Sequence, residues 1–409
     1  MIEVKGLYNV ATVFTNNIED TAISQIKELC NQEFTKGTCI KIMPDVHAGA
    51  GCTIGTTMTI KDKVVPNLVG VDIGCGMLTV EIGNKDIDLN LLDKYINKNI
   101  PSGFSINEHP KVDFKDQINS LYCIRDLKKS TKEFNRAIGS LGGGNHFIEI
   151  DIDDHDNKYL IIHSGSRNIG NQVARYYQDE AFKYHSGLDD DYKEKMDSLI
   201  KEYKKVDRRK EIQDALKQLK IEHKKESTIP KDLCYLEGKL MQNYLHDIEI
   251  IQKYSNLNRS TIAKRIVEEC LGLEYEKLNQ FQTIHNYIDK ENNVLRKGAI
   301  SAMKGEKVLI PINMKDGCIV AIGKGNPEWN YSAPHGAGRI MSRSKAKEIL
   351  EMDDFKNTMK DIYSSSVSEN TLDEAPMAYK PIQEIIDNIK DTVDIFKIIK
   401  PIYNYKSQN

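Results

Sequence analysis

Cys75 lies three residues after Asp72 and between two glycines, in the run VGVDIGCGM. A thiol packed for stability usually has apolar neighbours, not a carboxylate and a pair of glycines that bend the backbone. Asp and Cys three apart on a tight turn can aim both ligand atoms at one point, as a divalent metal requires. A buried, inert cysteine is the plain alternative. Three histidines keep comparable company. His146 follows three glycines and Asn145 in LGGGNHFIE, His163 ends the apolar run YLIIH before SGSR, and His285 sits in QTIHNYID. Each alone reads more readily as a hydrogen-bonded structural histidine. Together with Asp72 and Cys75 they could fill two metal positions if the thiolate bridges, holding cations roughly 3.5–4 Å apart as in two-metal phosphoryl chemistry.

A second constellation suits phosphate. His335 lies in WNYSAPHGAGRIMSRSKAKEI, where helical periodicity starts soon after the glycines. Backbone N–H groups at a helix start, with Arg339 and Arg343, make an anion site. A neutral imidazole there can attack phosphorus and form a phosphoramidate, or it can merely donate to a phosphate. Asp45 and His47, in MPDVHAGAG, form another polar pair among glycines; a carboxylate held against an imidazole would fix its tautomer. Arg167 in HSGSR and Arg296 and Lys297 in LRKGAIS are further positive groups, each a phosphate contact or a surface ion-pair partner.

The elements that position these residues read as follows. TTMTI, VVPNLVG and MLTVEIG are short β-branched runs punctuated by Gly and Pro. LYCIRDLKKSTKEFNRAIGS is helical in pattern, HFIEIDI and KYLIIH are strands, and NIGNQVARYYQDEAFKYH is a helix. Both charge signs crowd the stretch from Gly187 to Pro230, where an intermittent apolar stripe suggests exposed helices. Amphipathic helix continues from Asp232 to Leu271, then KVLIPI and CIVAIG return as strands before a last set of helices. The expected class is α+β: a single mixed domain over 1–409 with a β-rich core and a charged helical insertion at 187–275.

The 409 residues suffice for a substantial core, and 40% hydrophobic with 29% charged residues reads as a globular chain. No apolar run approaches bilayer length and no signal peptide is apparent. Eight irregularly spaced cysteines without a CxxC pair argue against a disulfide framework or zinc ribbon, so a cytoplasmic location is expected. A net charge of −3 means that any bound polyanion must be held by local Arg and Lys.

The ordered set MPDVHAGAG, VGVDIGCGM, LGGGNHFIE, HSGSR, IHN, RKGAISA, SAPHGAGR and DEAPMAYK resembles the RtcB family of RNA ligases, from near Asp45 to the C-terminus. The resemblance implies a GTP- and manganese-dependent ligase of the RtcB fold that joins an RNA 3′-phosphate, or an opened 2′,3′-cyclic phosphate, to a 5′-hydroxyl. It assigns one Mn²⁺ to Asp72, Cys75 and His146, and a second to Cys75, His163 and His285. His335 would take guanylate from GTP with Asp45 orienting it, and the guanylate would pass to the RNA 3′-phosphate before the 5′-hydroxyl displaces GMP. GTP contacts would come from Asn145, Glu149, Asn313, Tyr379 and Lys406, and RNA phosphate contacts from Arg167, Lys297, Arg339 and Arg343. An accessory activating protein is possible in such a system. A Cys/His/Asp donor set by itself ranks Zn²⁺ above Mn²⁺, so manganese rests on the resemblance.

Two departures stand out. IPINMKDG replaces the more usual IPGSMG, putting Asn313 where a nucleotide-contacting serine is common, and Pro334 precedes His335 where Ser or Cys is frequent. With the short chain, they suggest a compact bacterial-type member serving RNA repair. Two other readings remain open from the residues: a two-metal RNA-end phosphoesterase that does not use His335, and a catalytically silent RNA-binding protein.

Overall fold

In the computed structural model, which describes residues 1–188 and 190–407, two antiparallel-dominated sheets meet along a seam. Residues 189, 408 and 409, inside the expected domain range 1–409, lie outside the described residues, as does 189 for the range 187–275. The larger sheet has seven strands in the order Gln280–Ile284, Gly76–Gly83, Lys158–Ser164, Phe147–Ile152, Val393–Lys406, Gly317–Gly323 and Lys307–Asn313. All its neighbours are antiparallel. The smaller sheet has six, in the order Ile2–Lys5, Val10–Val13, Ile40–His47, Ile54–Thr59, Val294–Lys297 and Asn286–Asp289.

The central strands of the larger sheet read as continuous apolar runs because both faces are covered. Side chains alternate between faces along a strand. Leu78, Val80, Ile148, Ile150, Leu160 and Ile162 pack on one face with Ile262 and Ile266 of the following helical layer. Met77, Phe147, Tyr159 and Ile161 face the other way, against Leu309, Val320 and Ile399. Each fully buried aliphatic side chain contributes roughly 1.5–3 kcal/mol, so this double-sided burial fixes the register. A one-residue slip would exchange the two faces.

The charged stretch divides in two. Asp190–Lys205 and Ile212–His223 form paired, largely exposed helices, whereas Gly238–Arg265 runs beneath the larger sheet and buries thirteen residues. Among those is Arg259, fully buried. Its guanidinium donates to Gly74 O (2.7 Å), Ser164 O (2.8 Å) and Gln282 Oε1 (2.8 Å), so it ties the Cys75 turn to the end of the His163 strand. Burial pushes its guanidinium down to about 10, still charged at neutral pH. Arg259→Ala leaves these acceptors unpaired in the interior, and we expect a loss of about 3–5 kcal/mol of stability. A urea midpoint within error of the wild type would contradict that.

Three local expectations differ from the structure. VVPNLVG is mostly a turn, with Pro66–Leu68 a 3-10 turn started by the proline, because Pro cannot donate to a strand ladder. The helical pattern at 121–140 is broken into Ile124–Asp126 and the short capped helix Thr131–Ala137. The chain does not end in helices: Val393–Lys406 is a fourteen-residue strand in the middle of the larger sheet. Among the described residues no helix is long and apolar enough to cross a membrane.

Candidate active site

The site lies where the two sheets meet, and strand ends deliver its residues. Cys75 immediately precedes the strand Gly76–Gly83, His146 precedes Phe147–Ile152, and His163 is the penultimate residue of Lys158–Ser164. Met77, His163 and Phe147 lie side by side across these three strands. His285 occupies the single position between Gln280–Ile284 of the larger sheet and Asn286–Asp289 of the smaller. Asp45 comes from the end of Ile40–His47, and His335 follows the short strand Ser332–Pro334.

Cys75 Sγ is 3.4 Å from both His146 Nε2 and His163 Nε2. The ligand atoms of these three buried residues all lie within 4.8 Å of one another. His146 Nδ1 donates to Leu141 O (3.0 Å) and His163 Nδ1 to Asn145 O (3.2 Å), which fixes the tautomers and turns the Nε2 lone pairs toward the thiol. His146 Nε2 also faces Asp72 Oδ2 at 3.0 Å. The backbone N–H of His285 donates to Cys75 O (2.9 Å), while its buried Nδ1 has no partner. The Nε2 atoms of His146 and His163 thus converge on the thiol of Cys75, an arrangement that fits a cation of thiolate and imidazole preference.

Electrostatics agree. Burial, with neighbouring imidazoles, holds His163 and His285 well below the usual histidine range, so both rings are neutral. Burial opposes ionisation of Asp72, yet the His146 ring beside it and hydrogen bonds from Ser166 N and Oγ (both 2.9 Å) hold its carboxyl well below the usual range. Burial, then Asp72, pushes the Cys75 thiol well up, so a thiolate here would need a cation beside it. Two glycines are required here. Gly74 has φ +72°, and a Cβ on Gly165 would come within 2.3 Å of Asp72 Oδ1.

The imidazoles form a run from this cluster to His335. Ring centroids are 5.3 Å apart for His146 and His163, 5.2 Å for His163 and His285, and 4.9 Å for His285 and His335. His335 Nδ1 meets the fully buried Asp45 Oδ2 at 2.6 Å, and the same oxygen accepts from the backbone N–H of His335 (3.1 Å) and Gly336 (3.3 Å). Nε2 of His335 is thereby left as the free nitrogen. His47 lines the same pocket, its Nδ1 donating to Asp45 O at 3.0 Å.

That pocket is also lined by Asn145, Glu149, Asn313, Tyr379, Lys406, Arg339 and Arg343. Within it, Asn313 caps its own turn: Oδ1 accepts from Lys315 N and Asp316 N, and Nδ2 donates to Asp316. Arg167 and Lys297 are held elsewhere. Arg167 donates to Ser140 Oγ and Gly103 O, and buried Lys297 donates to Ala50 O and Cys52 O. Neither lines this pocket.

Sequence reasoning passed over Glu374. Its carboxylate accepts from Lys406 Nζ (3.0 Å), Tyr379 Oη (2.8 Å) and Arg343 Nη2 (2.9 Å), so it organises the wall that those residues form. Burial works against its charge, but Lys406 and Arg343 win and hold it below the usual range. The signal was present in DEAPMAYK, a carboxylate five residues before Tyr379 with a proline between them. Arg259 was also passed over, its charge hidden in an otherwise amphipathic helix.

The chain matches the family model described as tRNA-splicing ligase RtcB over residues 25–125 and 123–407. It is 31% identical over 399 residues to the RNA-splicing ligase RtcB of Escherichia coli K12, covering 89% of this chain and 88% of that protein. It is 26% identical over 448 residues to the tRNA-splicing ligase RtcB of Nanoarchaeum equitans, covering 88% of this chain and 85% of that protein.

Proposed function

We propose, from the premise that this chain belongs to the RtcB family, that it is an RNA ligase using GTP and Mn²⁺. It would join RNA ends bearing a 3′-phosphate, or a 2′,3′-cyclic phosphate once water has opened it to the 3′-phosphate, to 5′-hydroxyl ends, in RNA repair. The observation that carries this reading is His335 held by Asp45 at 2.6 Å, in the wall of a pocket that also contains Arg339 and Arg343. A hydrolase that relies on metal-activated water has no need of a tautomer-fixed imidazole in that place.

Asp45 holds the Nδ1 proton, so the Nε2 lone pair of His335 attacks the α-phosphorus of GTP; the bond to the bridging oxygen breaks and pyrophosphate leaves. An oxygen of the RNA 3′-phosphate then attacks the same phosphorus, the P–N bond breaks, and His335 regains its lone pair. The 5′-hydroxyl oxygen attacks the RNA phosphorus, GMP leaves with the P–O electrons, and the hydroxyl proton passes to solvent. Glu149, Tyr379 and Lys406 would hold the guanine, Asn145 and Asn313 the remaining nucleotide, and Arg339 and Arg343 the phosphates. Mn²⁺ held by Asp72, Cys75 and His146, and by Cys75, His163 and His285, would neutralise charge on the phosphates. Arg167 and Lys297, engaged with backbone and Ser140 as they stand, would reach RNA only by giving up those bonds. We read 1–409 as one ligase domain with 187–275 as a helical insertion.

The test is incubation with α-labelled GTP and Mn²⁺, which should leave an acid-labile label on the chain. Asp45→Asn keeps an acceptor for the backbone but loses the charge that stabilises the imidazolium, so labelling should slow by about 10²–10⁴-fold. Rapid-quench sampling checks this; an unchanged rate would remove Asp45 from the mechanism.

A further inference from the structure

Beneath the pocket, Glu149, Asp151 and Cys318 form a second buried cluster whose ligand-type atoms lie within 4.8 Å of one another. Phe147, Glu149 and Asp151 alternate onto the same face of their strand. That face packs against Leu309, Val320 and Ile399, so two carboxyls sit in an apolar layer. Asp151 is fully buried, and as an ionised carboxylate it would have no hydrogen-bond partner for either oxygen. The groups that face the pair from adjoining strands are few. Cys318 Sγ stands 4.0 Å from Glu149 Oε1, Asn404 Nδ2 donates to Glu149 Oε2, and Lys406 approaches Glu149 from the pocket side. Tyr159, opposite Asp151, gives its hydroxyl to Asp153, as Lys397 gives its ammonium.

Glu149 therefore has an amide donor and a cation beside it, whereas Asp151 has only the thiol of Cys318 near it. Two ionised carboxylates cannot share such a layer cheaply, and one proton between them removes the conflict. We infer that Asp151 is a positioning residue, held as the neutral acid and donating its O–H to the Glu149 carboxylate. Glu149 is thus fixed as an acceptor-only group at the pocket floor, matched to a purine with adjacent N–H donors. The role in nucleotide selection rests on the GTP reading above. Burial first, and then the charge of Glu149, push the Asp151 carboxyl well above its usual range, in keeping with this assignment.

The pair of variants Asp151→Asn and Asp151→Leu tests it in the full chain with Mn²⁺. The amide can still donate to Glu149, so Asp151→Asn should keep the wild-type KM for GTP in labelling within about threefold. The leucine cannot donate, and KM should rise about tenfold or more with little change in the saturating rate, the loss of one hydrogen bond to a charged group. Infrared spectra at neutral pH should contain a protonated-carboxyl C=O band in the wild type that Asp151→Asn removes. The inference is overturned if no such band is lost, if Asp151→Leu matches the wild type, or if Asp151→Asn is as impaired as Asp151→Leu. Loss of a bound Mn²⁺ or Zn²⁺ in Asp151→Asn, without loss of a band, would instead make the cluster a metal site. Should the wild type take no label from GTP, the nucleotide reading fails, and the infrared band still decides whether the proton is shared.

Discussion

His335→Ala is expected to take up no label from α-labelled GTP, while the wild type labels with an acid-labile bond. Removing a covalent nucleophile from a preorganised site typically costs on the order of 10⁶-fold in rate. Nothing else in the pocket is placed to substitute. Lys406 Nζ is held by Glu374 at 3.0 Å and by Asn145 O at 3.3 Å, on the wall assigned to the base. His47 has its Nδ1 given to a backbone carbonyl, Asp45 O, and burial holds its ring below the usual histidine range, against a charged imidazolium. The alanine variant should stay folded, because Asp45 Oδ2 keeps the backbone N–H groups of residue 335 and Gly336 as donors. Label retained at the wild-type level in His335→Ala would place the nucleophile elsewhere.

Cys75→Ala is expected to lose both metal ions and, with them, the label on His335, although Cys75 itself forms no bond to guanylate. Its Sγ is the atom equidistant, at 3.4 Å, from the Nε2 atoms of His146 and His163. No other thiol enters that cluster among the described residues. Replacing a ligand that both ions share should remove more metal than replacing a ligand of one. His146→Ala and His163→Ala should each retain part of the metal bound by the wild type, and Cys75→Ala almost none. The exposed Cys39 provides the control, since Cys39→Ala should keep full metal and full labelling. Elemental analysis of dialysed protein reads this out. Wild-type metal in Cys75→Ala would contradict the bridging role.

Much of the site was legible because its chemistry needs residues that folding alone would not choose. Cys75 beside Asp72, or His146 after three glycines, is a poor way to fill a core, and the unusual company was the signal. The α+β class was readable from strand and helix periodicities, although the convergence of Cys75, His146 and His163 from three separate strand ends was not. What the residues hid was relational. The strand Val393–Lys406 carries β-branched and aromatic residues, yet charges at Asp394, Lys397 and Lys400 mask its period; it places Asn404 and Lys406 beside Glu149. Arg259 and Asp151 look like surface charges in their segments, and only burial shows that one holds the Cys75 turn and the other lies under the pocket. Arg167 and Lys297 resembled phosphate contacts by motif, while local carbonyls claim both.

The most direct test is a ligation with two RNAs, one ending in a 3′-phosphate labelled at that phosphorus and one starting with a 5′-hydroxyl, in GTP and Mn²⁺. The account predicts a joined product in which the labelled phosphorus lies in the new phosphodiester, formed only with GTP and absent with His335→Ala. Release of the label as inorganic phosphate without GTP, at equal rates in the wild type and His335→Ala, would contradict it and mark the metal cluster as that of a phosphoesterase.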